Sequence, residues 1–82
     1  MPVIARFYGI VIKLFFSDHN PPHFHAIYNE SNALYHIETG EVIEWDLPIR
    51  AHKLVQEWAK LHISELMEMW NSQELHQLPP LS

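Results

Sequence analysis

The sequence predicts an α+β fold: a small antiparallel sheet of about four to five strands, followed by one long C-terminal amphipathic helix packed on one face. Residues 3–45 are rich in β-branched and aromatic side chains and repeatedly alternate in polarity, which is typical of strands. Between residues 49 and 74, apolar residues recur every three or four positions, which is the period of a helix with one buried side. A chain of 82 residues makes one domain, so we expect both patterns to share a single thin core.

Turn and loop residues divide the first half of the chain into short strands. Strands are expected at 3–8, 10–16, 23–28, 33–38 and 41–45. Gly9 marks a bend between the first two strands, and residues 17–22 form a loop whose prolines cannot donate ladder hydrogen bonds. A turn at 29–32 precedes the last two strands, which we expect to pair as a hairpin. A two-residue turn would set Ile37 beside Val42 but would oppose Glu38 and Glu41, so a longer loop is the alternative.

The helix is expected over residues 48–74, with a short tail over 75–82. Asp46 followed by Pro48 is a helix start signal, because an acceptor side chain precedes a proline in the first turn. The apolar stripe consists of Ala51, Val55, Trp58, Ala59, His62, Ile63, Leu66, Met67 and Trp70. Surface ion pairs are expected on the opposite side for Lys53–Glu57 and Glu57–Lys60.

Composition favours a cytoplasmic location. The chain has no cysteine, which excludes disulfides and thiolate metal sites and fits a reducing compartment. No apolar run approaches the roughly 20 residues of a membrane span, and the first residues lack the charged-then-apolar layout of a signal peptide. We therefore expect a soluble protein with no membrane partner.

The charge is distributed unevenly along the chain. The formal net charge is −5, but residues 1–28 carry two cations against one acid, whereas residues 29–82 carry three cations against nine acids. The overall charge argues against a general DNA-binding protein, which would normally be basic. Any anion is expected to bind the N-terminal third, where protonated histidines would add positive charge.

The stretch DHNPPHFHA at 18–26 contains three of the seven histidines. His23 and His25 are two apart in a strand and project from the same face, and the preceding loop carries Asp18 and His19 side by side. The first interpretation is a zinc or iron site in which the strand pair is joined by either His19 or Asp18. A divalent metal such as zinc is a cofactor only on this interpretation.

The second interpretation is acid–base chemistry on a phosphodiester. One imidazole can be neutral and accept a proton while another is charged and donates one, because the pKa of histidine ordinarily lies near 6.5. Arg6 and Lys13 are nearby cations for the developing negative charge, and Tyr8 is available to orient a phosphate oxygen. In the third interpretation, the imidazoles only bond loop carbonyls and hold the Asn-Pro-Pro turn.

The remaining histidines and the tryptophans have structural interpretations. His62 lies on the apolar stripe and is expected to be a hydrogen-bonded core residue. The histidines expected to be solvated are His36, His52 and His76. Trp58 and Trp70 are expected to anchor the core.

Four segments of the chain form a recognisable set. They are RFYGI at 6–10, DHNPPHFHA at 18–26, IETGEVIE at 37–44 and VQEWAKLHISEL at 55–66. The set resembles a family of short bacterial and archaeal proteins, domain-of-unknown-function family 4160, over nearly the whole chain. The family's signature positions correspond here to Arg6, Tyr8, Asp18, His19, Asn20, Pro21, Pro22, His23 and His25.

The resemblance implies the toxin half of a toxin–antitoxin-type gene pair, with a small antitoxin-like protein encoded next door. Together with the histidine cluster, it leads to the hypothesis of a toxin-like protein that acts on RNA or on translation. If the protein is an enzyme, a metal-independent ribonuclease is expected. The catalytic or phosphate-contacting candidates are His19, His23, His25 and Arg6, and the binding candidates are Tyr8, Lys13, Asp18 and Asn20.

The alternative hypothesis is a non-catalytic interaction module. Its open sheet face, or the strand edge at 3–8, would pair with a partner protein or with a second copy in a homodimer. A third hypothesis is a small metal-binding protein that uses the same histidines. The sheet face that the helix covers is decisive, because His23 and His25 cannot form a site beneath it.

Overall fold

The structure, a computed structural model, describes residues 3–15 and 21–81. Within this part of the chain, five strands form one antiparallel sheet and two helices follow, so the predicted α+β class is confirmed. The elements are β1 (Val3–Phe7), β2 (Ile10–Lys13), β3 (His23–Tyr28), β4 (Ser31–His36), β5 (Val42–Trp45), α1 (Ile49–Leu61) and α2 (Ile63–Ser72).

The sheet is a simple meander, because every strand lies beside the strands that precede and follow it in the chain. Phe7 pairs with Ile10 across a turn that consists of Tyr8 and Gly9. Both turn residues have positive φ, 49° for Tyr8 and 78° for Gly9, which is the signature of a type I′ hairpin turn. The missing Cβ of Gly9 also spares a close approach to the ring of Tyr28.

The third strand has the predicted bounds, but the fourth begins two residues earlier than expected. Tyr28 pairs with Ser31, so the turn between β3 and β4 contains only Asn29 and Glu30. Asn29 adopts the left-handed conformation, with φ of 54°, which asparagine tolerates better than most residues. This short turn extends β4 and sets its register against the whole of β3.

The last hairpin has the longer loop of the two alternatives, not the two-residue turn. Tyr35 pairs with Val42, so the pairing of Ile37 with Val42 that a two-residue turn would give is wrong. The loop is closed by a hydrogen bond from the His36 N–H to the Glu41 carbonyl at 2.8 Å. The longer loop avoids the direct opposition of like charges that a tight turn would impose, and the Ile37 side chain is buried in the core.

The predicted single helix is interrupted, which corrects the expected architecture. α1 ends and α2 begins at His62, whose φ of −127° and ψ of 21° leave the helical region. The His62 side chain bonds Glu65 at 2.6 Å and packs on the Trp58 ring, with centroids 5.0 Å apart. His62 is therefore hydrogen-bonded and largely buried, as predicted, and it also occupies the N-cap position of α2.

The core lies between the helices and one face of the sheet. Trp58 of α1 is completely buried, with its ring centroid 5.5 Å from Phe7 and 6.1 Å from Phe24. Phe24 in turn stacks on Tyr35 at 5.3 Å. Phe24 and Ala26 are the buried residues of β3, so the helices cover the face of the sheet that does not carry the strand's two histidines.

Residues 75–81 are part of the fold rather than a separate tail. The Leu78 N–H donates to the Ile4 carbonyl at 2.8 Å, and the Gln77 side-chain amide donates to the Val3 carbonyl at 2.6 Å. Leu78 is only 5% exposed. The segment occupies the Val3 and Ile4 end of the outer edge of β1, so that part of the edge is already paired within the chain, and a partner on the edge at 3–8 stays a prediction.

His52 is packed between aromatic rings, so the expectation that it is solvated is wrong. Its Nδ1 lies 2.8 Å from the Tyr35 hydroxyl, and its ring stacks on Trp45 at 4.7 Å. Burial raises the pKa of Tyr35 to about 12. Burial lowers the pKa of His52, and the neighbouring charge of Lys53 lowers it further. Both shifts favour the neutral pair, in which the hydroxyl donates and Nδ1 accepts.

Replacing Tyr35 by phenylalanine is expected to remove an alkaline loss of stability. Because its pKa is raised in the folded state, Tyr35 stabilises the protein fully below pH 10, and this contribution is lost as the pH rises towards 12. Phenylalanine cannot titrate, so the variant should lose less stability over this range, after an initial cost of about 1 kcal/mol for the missing hydrogen bond. Urea unfolding of both proteins at about pH 8 and about pH 11 measures the difference, and equal losses would contradict the expectation.

Candidate functional site

The open face is the face of the sheet that lies away from the two helices. His23 and His25 lie on it, because they alternate with the buried Phe24 along β3. The strand residues of the open face include Val3, Arg6, Val11, Lys13, His23, His25, Ile27, Asn32, Leu34, His36 and Glu44. The histidine pair therefore lies on the face opposite the buried core, which is the condition for a site at this position, and Trp70 of α2 reaches the His23 ring.

The register of the strands places basic side chains next to one another on the open face. His25 of β3 lies opposite Lys13 of β2, and His23 lies opposite His36 of β4. Opposite residues in antiparallel strands have Cβ atoms about 4.5–5.5 Å apart, so each of these pairs is within contact range. The rings of His23 and His25 have centroids 5.4 Å apart. Three imidazoles and one ammonium group therefore come together on neighbouring strands.

His36 belongs to this cluster, although the sequence pattern predicts a solvated position for it. Its place opposite His23 depends on the register between β3 and β4, which follows from the short turn at Asn29. Asn29 is the signal that could have found it, because asparagine between two strand patterns favours a two-residue turn with positive φ. That turn alone fixes the pairing of the two histidines.

Aromatic rings flank the two histidines of β3. The ring of Phe15 meets His25 edge-on at 4.6 Å, and the ring of Trp70 from α2 lies 5.4 Å from His23. Nδ1 of His23 donates a hydrogen bond to the Pro21 carbonyl at 2.9 Å. In the third interpretation the imidazoles bond loop carbonyls and hold the Asn-Pro-Pro turn. This bond agrees with it for one nitrogen of His23.

Of the other predicted site residues, Arg6 lies on the same face as the histidines of β3, whereas Tyr8 lies far from His23. Arg6 is exposed on the open face, in the row next to the one that contains Lys13. Tyr8 lies in the β1–β2 turn, near the Tyr28 end of β3. A strand of this length spans about 16 Å, so Tyr8 is not at the His23 end and cannot orient a phosphate there.

Three predicted site residues, Asp18, His19 and Asn20, lie outside the described residues, and their roles stay predictions. Within residues 3–15 and 21–81, no group of three histidine, aspartate, glutamate or cysteine side chains is arranged to hold a metal ion. The predicted zinc or iron site therefore depends on His19 or Asp18 joining the strand pair.

The open face is basic on one side and acidic on the other. Arg6 and Lys13 lie on β1 and β2, whereas Glu44 lies on β5, opposite Leu34. The neighbour of His25 on β2 is thus a cation rather than a carboxylate, and an anion bound beside Lys13 is within reach of an imidazole. One neutral and one charged imidazole can accept and donate a proton at such an anion.

Fold and site together define a class of small α+β protein, a five-stranded meander backed by two helices, with histidines on its open face. The chain belongs to the family described as Domain of unknown function (DUF4160), whose model matches residues 9–71 and confirms the resemblance. The matched region contains the histidine cluster and runs almost to the end of α2. No curated protein and no solved structure matches the chain. Neither helix of the described ranges has the length and apolar character that crossing a membrane requires.

Proposed function

We propose that the chain is the toxin-like component of a two-gene module and that it acts on RNA in the cytoplasm through the open face of its sheet. The observation that carries the proposal is Lys13 opposite His25 on the face that lies away from the buried core. Cationic and hydrogen-bond-donating side chains of this kind bind phosphate groups. α1, which carries Glu57, packs on the other face of the sheet through Trp58.

The imidazoles of His23 and His25 suit metal-independent cleavage of RNA. One neutral imidazole takes the proton of a ribose 2′-hydroxyl, and the 2′-oxygen attacks the adjacent phosphorus. The bond from phosphorus to the 5′-oxygen breaks, and the other imidazole, which is charged, gives its proton to that leaving oxygen. Lys13 and, one row away, Arg6 offset the negative charge that develops on the phosphate. The ring centroids are 5.4 Å apart, so one phosphate can reach both imidazoles.

Growth of a bacterial host after induction tests this function. The wild-type protein is expected to arrest growth, and the double variant His23→Ala/His25→Ala, at a matched protein level, is expected not to. Loss of a general acid or a general base typically slows such a reaction by about 10²–10⁴-fold, which is enough to abolish an arrest. His76→Ala is the matched control, because His76 is an exposed histidine outside the open face.

RNA extracted from the induced cultures separates the outcomes. Fragmented RNA with the wild type and intact RNA with the double variant support the ribonuclease mechanism. Unchanged growth, RNA and translation with the wild type would remove the proposed function. An equally strong arrest by the folded double variant would remove the two histidines from it.

A non-catalytic interaction module is the second candidate, and the exposed edge of β5 supports it. Ile43 is 43% exposed and Trp45 is 50% exposed, whereas residues 75–81 occupy one end of the β1 edge. Glu44 and Asp46 make the β5 edge acidic, so a basic strand from an antitoxin-like protein suits it better than a second copy in a homodimer. Co-purification with the product of the neighbouring gene, without any change in RNA, would favour this candidate.

A further inference from the structure

A groove follows α1 on the side of the protein opposite the open face. A cavity of about 610 Å³ lies between α1 and the loop that joins β4 to β5. A second cavity of about 360 Å³ lies between the start of α1 and the β1–β2 turn. Arg50 and Leu54 line both cavities, so the two adjoin along one helix, and we call them together the α1 groove.

All the cationic residues of the acidic segment 29–82 line the α1 groove. Residues 29–82 contain nine acidic residues and three cations, and all three cations line the groove: Arg50, Lys53 and Lys60. Glu57 is the one acidic residue among its described lining residues. A groove that concentrates positive charge on an otherwise acidic surface attracts anions.

Among the described residues, no carboxylate lies within ion-pair distance of these cations. Within residues 3–15 and 21–81, the expected pairs Lys53–Glu57 and Glu57–Lys60 are not within ion-pair distance, and Arg50 has no carboxylate partner. The sequence expectation of two surface ion pairs is therefore wrong. All three cations can contact a ligand without first breaking an ion pair.

An aromatic residue in an unfavourable backbone conformation lies at one end of the α1 groove. Tyr8 lines the smaller cavity together with Tyr28, and its side chain is 59% exposed. Its φ of 49° is rare for a bulky residue, and this turn position normally takes asparagine, aspartate or glycine. An exposed ring adds little to the core, so stability does not explain why tyrosine occupies a strained position. Strain of this kind is commonly retained where a residue contacts a ligand.

We propose that the α1 groove binds a nucleotide, with its base stacked on Tyr8 and its phosphates held by the three cations. Aromatic rings bind bases by stacking, and cationic side chains bind phosphates through charge-assisted hydrogen bonds. Arg50 lies between the aromatic end and the lysines, because it lines both cavities. Helical rise separates Arg50 from Lys60 by about 15 Å, which leaves room for a ribose and two phosphates in a row.

The shape and the apolar lining favour a nucleotide over a free inorganic anion. Both cavity volumes lie in the range of about 300–1,000 Å³ that is typical of small-molecule sites. The apolar residues of the lining include Ile37, Leu54, Ala59 and Ile63. Such a surface suits the base and ribose, whereas an inorganic phosphate would use only the cations.

Isothermal titration calorimetry of the full chain with ADP, adenosine and pyrophosphate tests the proposal. ADP is expected to bind with a Kd below about 1 mM. Adenosine and pyrophosphate are expected to bind at least about tenfold more weakly, because each supplies only one half of the recognised chemistry. Absence of ADP binding below about 1 mM would overturn the proposal. Binding of adenosine or of pyrophosphate as tightly as ADP would also overturn the proposal, because the remaining part of the nucleotide would then add no affinity.

Two variants locate the site while keeping the protein folded. Lys53→Gln/Lys60→Gln removes two exposed charges and is expected to weaken ADP binding at least about tenfold. Tyr8→Asn removes the ring and suits the left-handed turn, so ADP binding should fall at least about fivefold without loss of thermal stability. Unchanged ADP binding by either variant would overturn the assignment.

Arg6→Gln/Lys13→Gln is the matched control, since it removes two positive charges from the open face. It is expected to leave the affinity for ADP unchanged, and an equal loss would show that net charge rather than the α1 groove controls binding, which would overturn the proposal. The open face and the α1 groove share no residue, so failure of the RNA-related function and failure of nucleotide binding are separate results.

Discussion

Replacing Trp58 by alanine is expected to destabilise the protein by about 3–5 kcal/mol, the usual cost of removing a buried tryptophan. Trp58 is completely buried between α1 and the sheet, and its ring contacts Phe7, Phe24 and His62. Its indole N–H also donates to the Pro79 carbonyl at 2.9 Å, which ties the C-terminal segment to α1. A domain of this size has a total stability of about 4–12 kcal/mol, so this one substitution removes a large share of it.

Urea unfolding followed by circular dichroism measures the effect. Trp45→Ala is the matched control, because Trp45 is 50% exposed and its loss should cost about 1 kcal/mol. Trp58→Phe keeps an aromatic ring in the core but leaves the Pro79 carbonyl without its donor, and it should fall between the two. If Trp58→Ala and Trp45→Ala unfolded at the same urea concentration, Trp58 would not be the centre of the core.

β3 could be predicted with its bounds because two local signals agree. The prolines at 21–22 cannot extend a ladder, and the stretch HFHAIY has the two-residue period of a half-buried strand. The start of β4 has only one local signal, Asn29, and that signal is weaker. It depends on the left-handed conformation of Asn29, and asparagine without a following glycine is a weak turn signal.

The spacing of apolar residues does not indicate the break between the two helices. Apolar residues continue at the same spacing on both sides of His62, so the pattern predicts one helix. The break is accompanied by the contacts of His62 with Trp58 and Glu65, and the packing on Trp58 depends on the assembled core. The role of the C-terminal segment was hidden for a related reason, since Gln77 bonds Val3 across 74 positions of sequence.

The part of the site that lies on a single strand could be predicted from the sequence. The pairing between strands that joins further residues to it could not. The two-residue period places His23 and His25 on one face without any knowledge of neighbours. Lys13 and His36 join them through the register of β3 with β2 and β4. Tyr8 lies in the β1–β2 turn at the Tyr28 end of the sheet, far from His23, and it lines the α1 groove instead.

The cations of the chain lie on two surfaces. Arg6 and Lys13 are on the open face, and the other three line the α1 groove. In a protein with a formal net charge of −5, this separation favours two distinct anion sites over one diffuse basic surface. The two sites are expected to differ in ligand, because imidazoles accompany the cations on the open face, whereas tyrosines and an apolar lining accompany them in the groove.

A chain that ends at Glu74 is expected to lose about 3 kcal/mol or more of stability and to self-associate. The truncation removes the buried side chain of Leu78, which contributes about 2 kcal/mol, and it takes away the acceptor of the Trp58 N–H, which costs about 1–3 kcal/mol. It also uncovers the outer edge of β1, where the Ile4 carbonyl loses its donor. An uncovered strand edge is a template for pairing with another chain.

Light scattering after size-exclusion chromatography, at a low and a high protein concentration, measures the association, and urea unfolding measures the stability. A chain that ends at Leu81 is the control, because it keeps Leu78, Leu81 and the Pro79 carbonyl and should behave much like the full chain. If the chain that ends at Glu74 stayed as stable as the full chain and showed no added association, residues 75–81 would not protect the edge. Association without loss of stability would show that the segment guards the β1 edge but adds little to the core, which would separate its two roles.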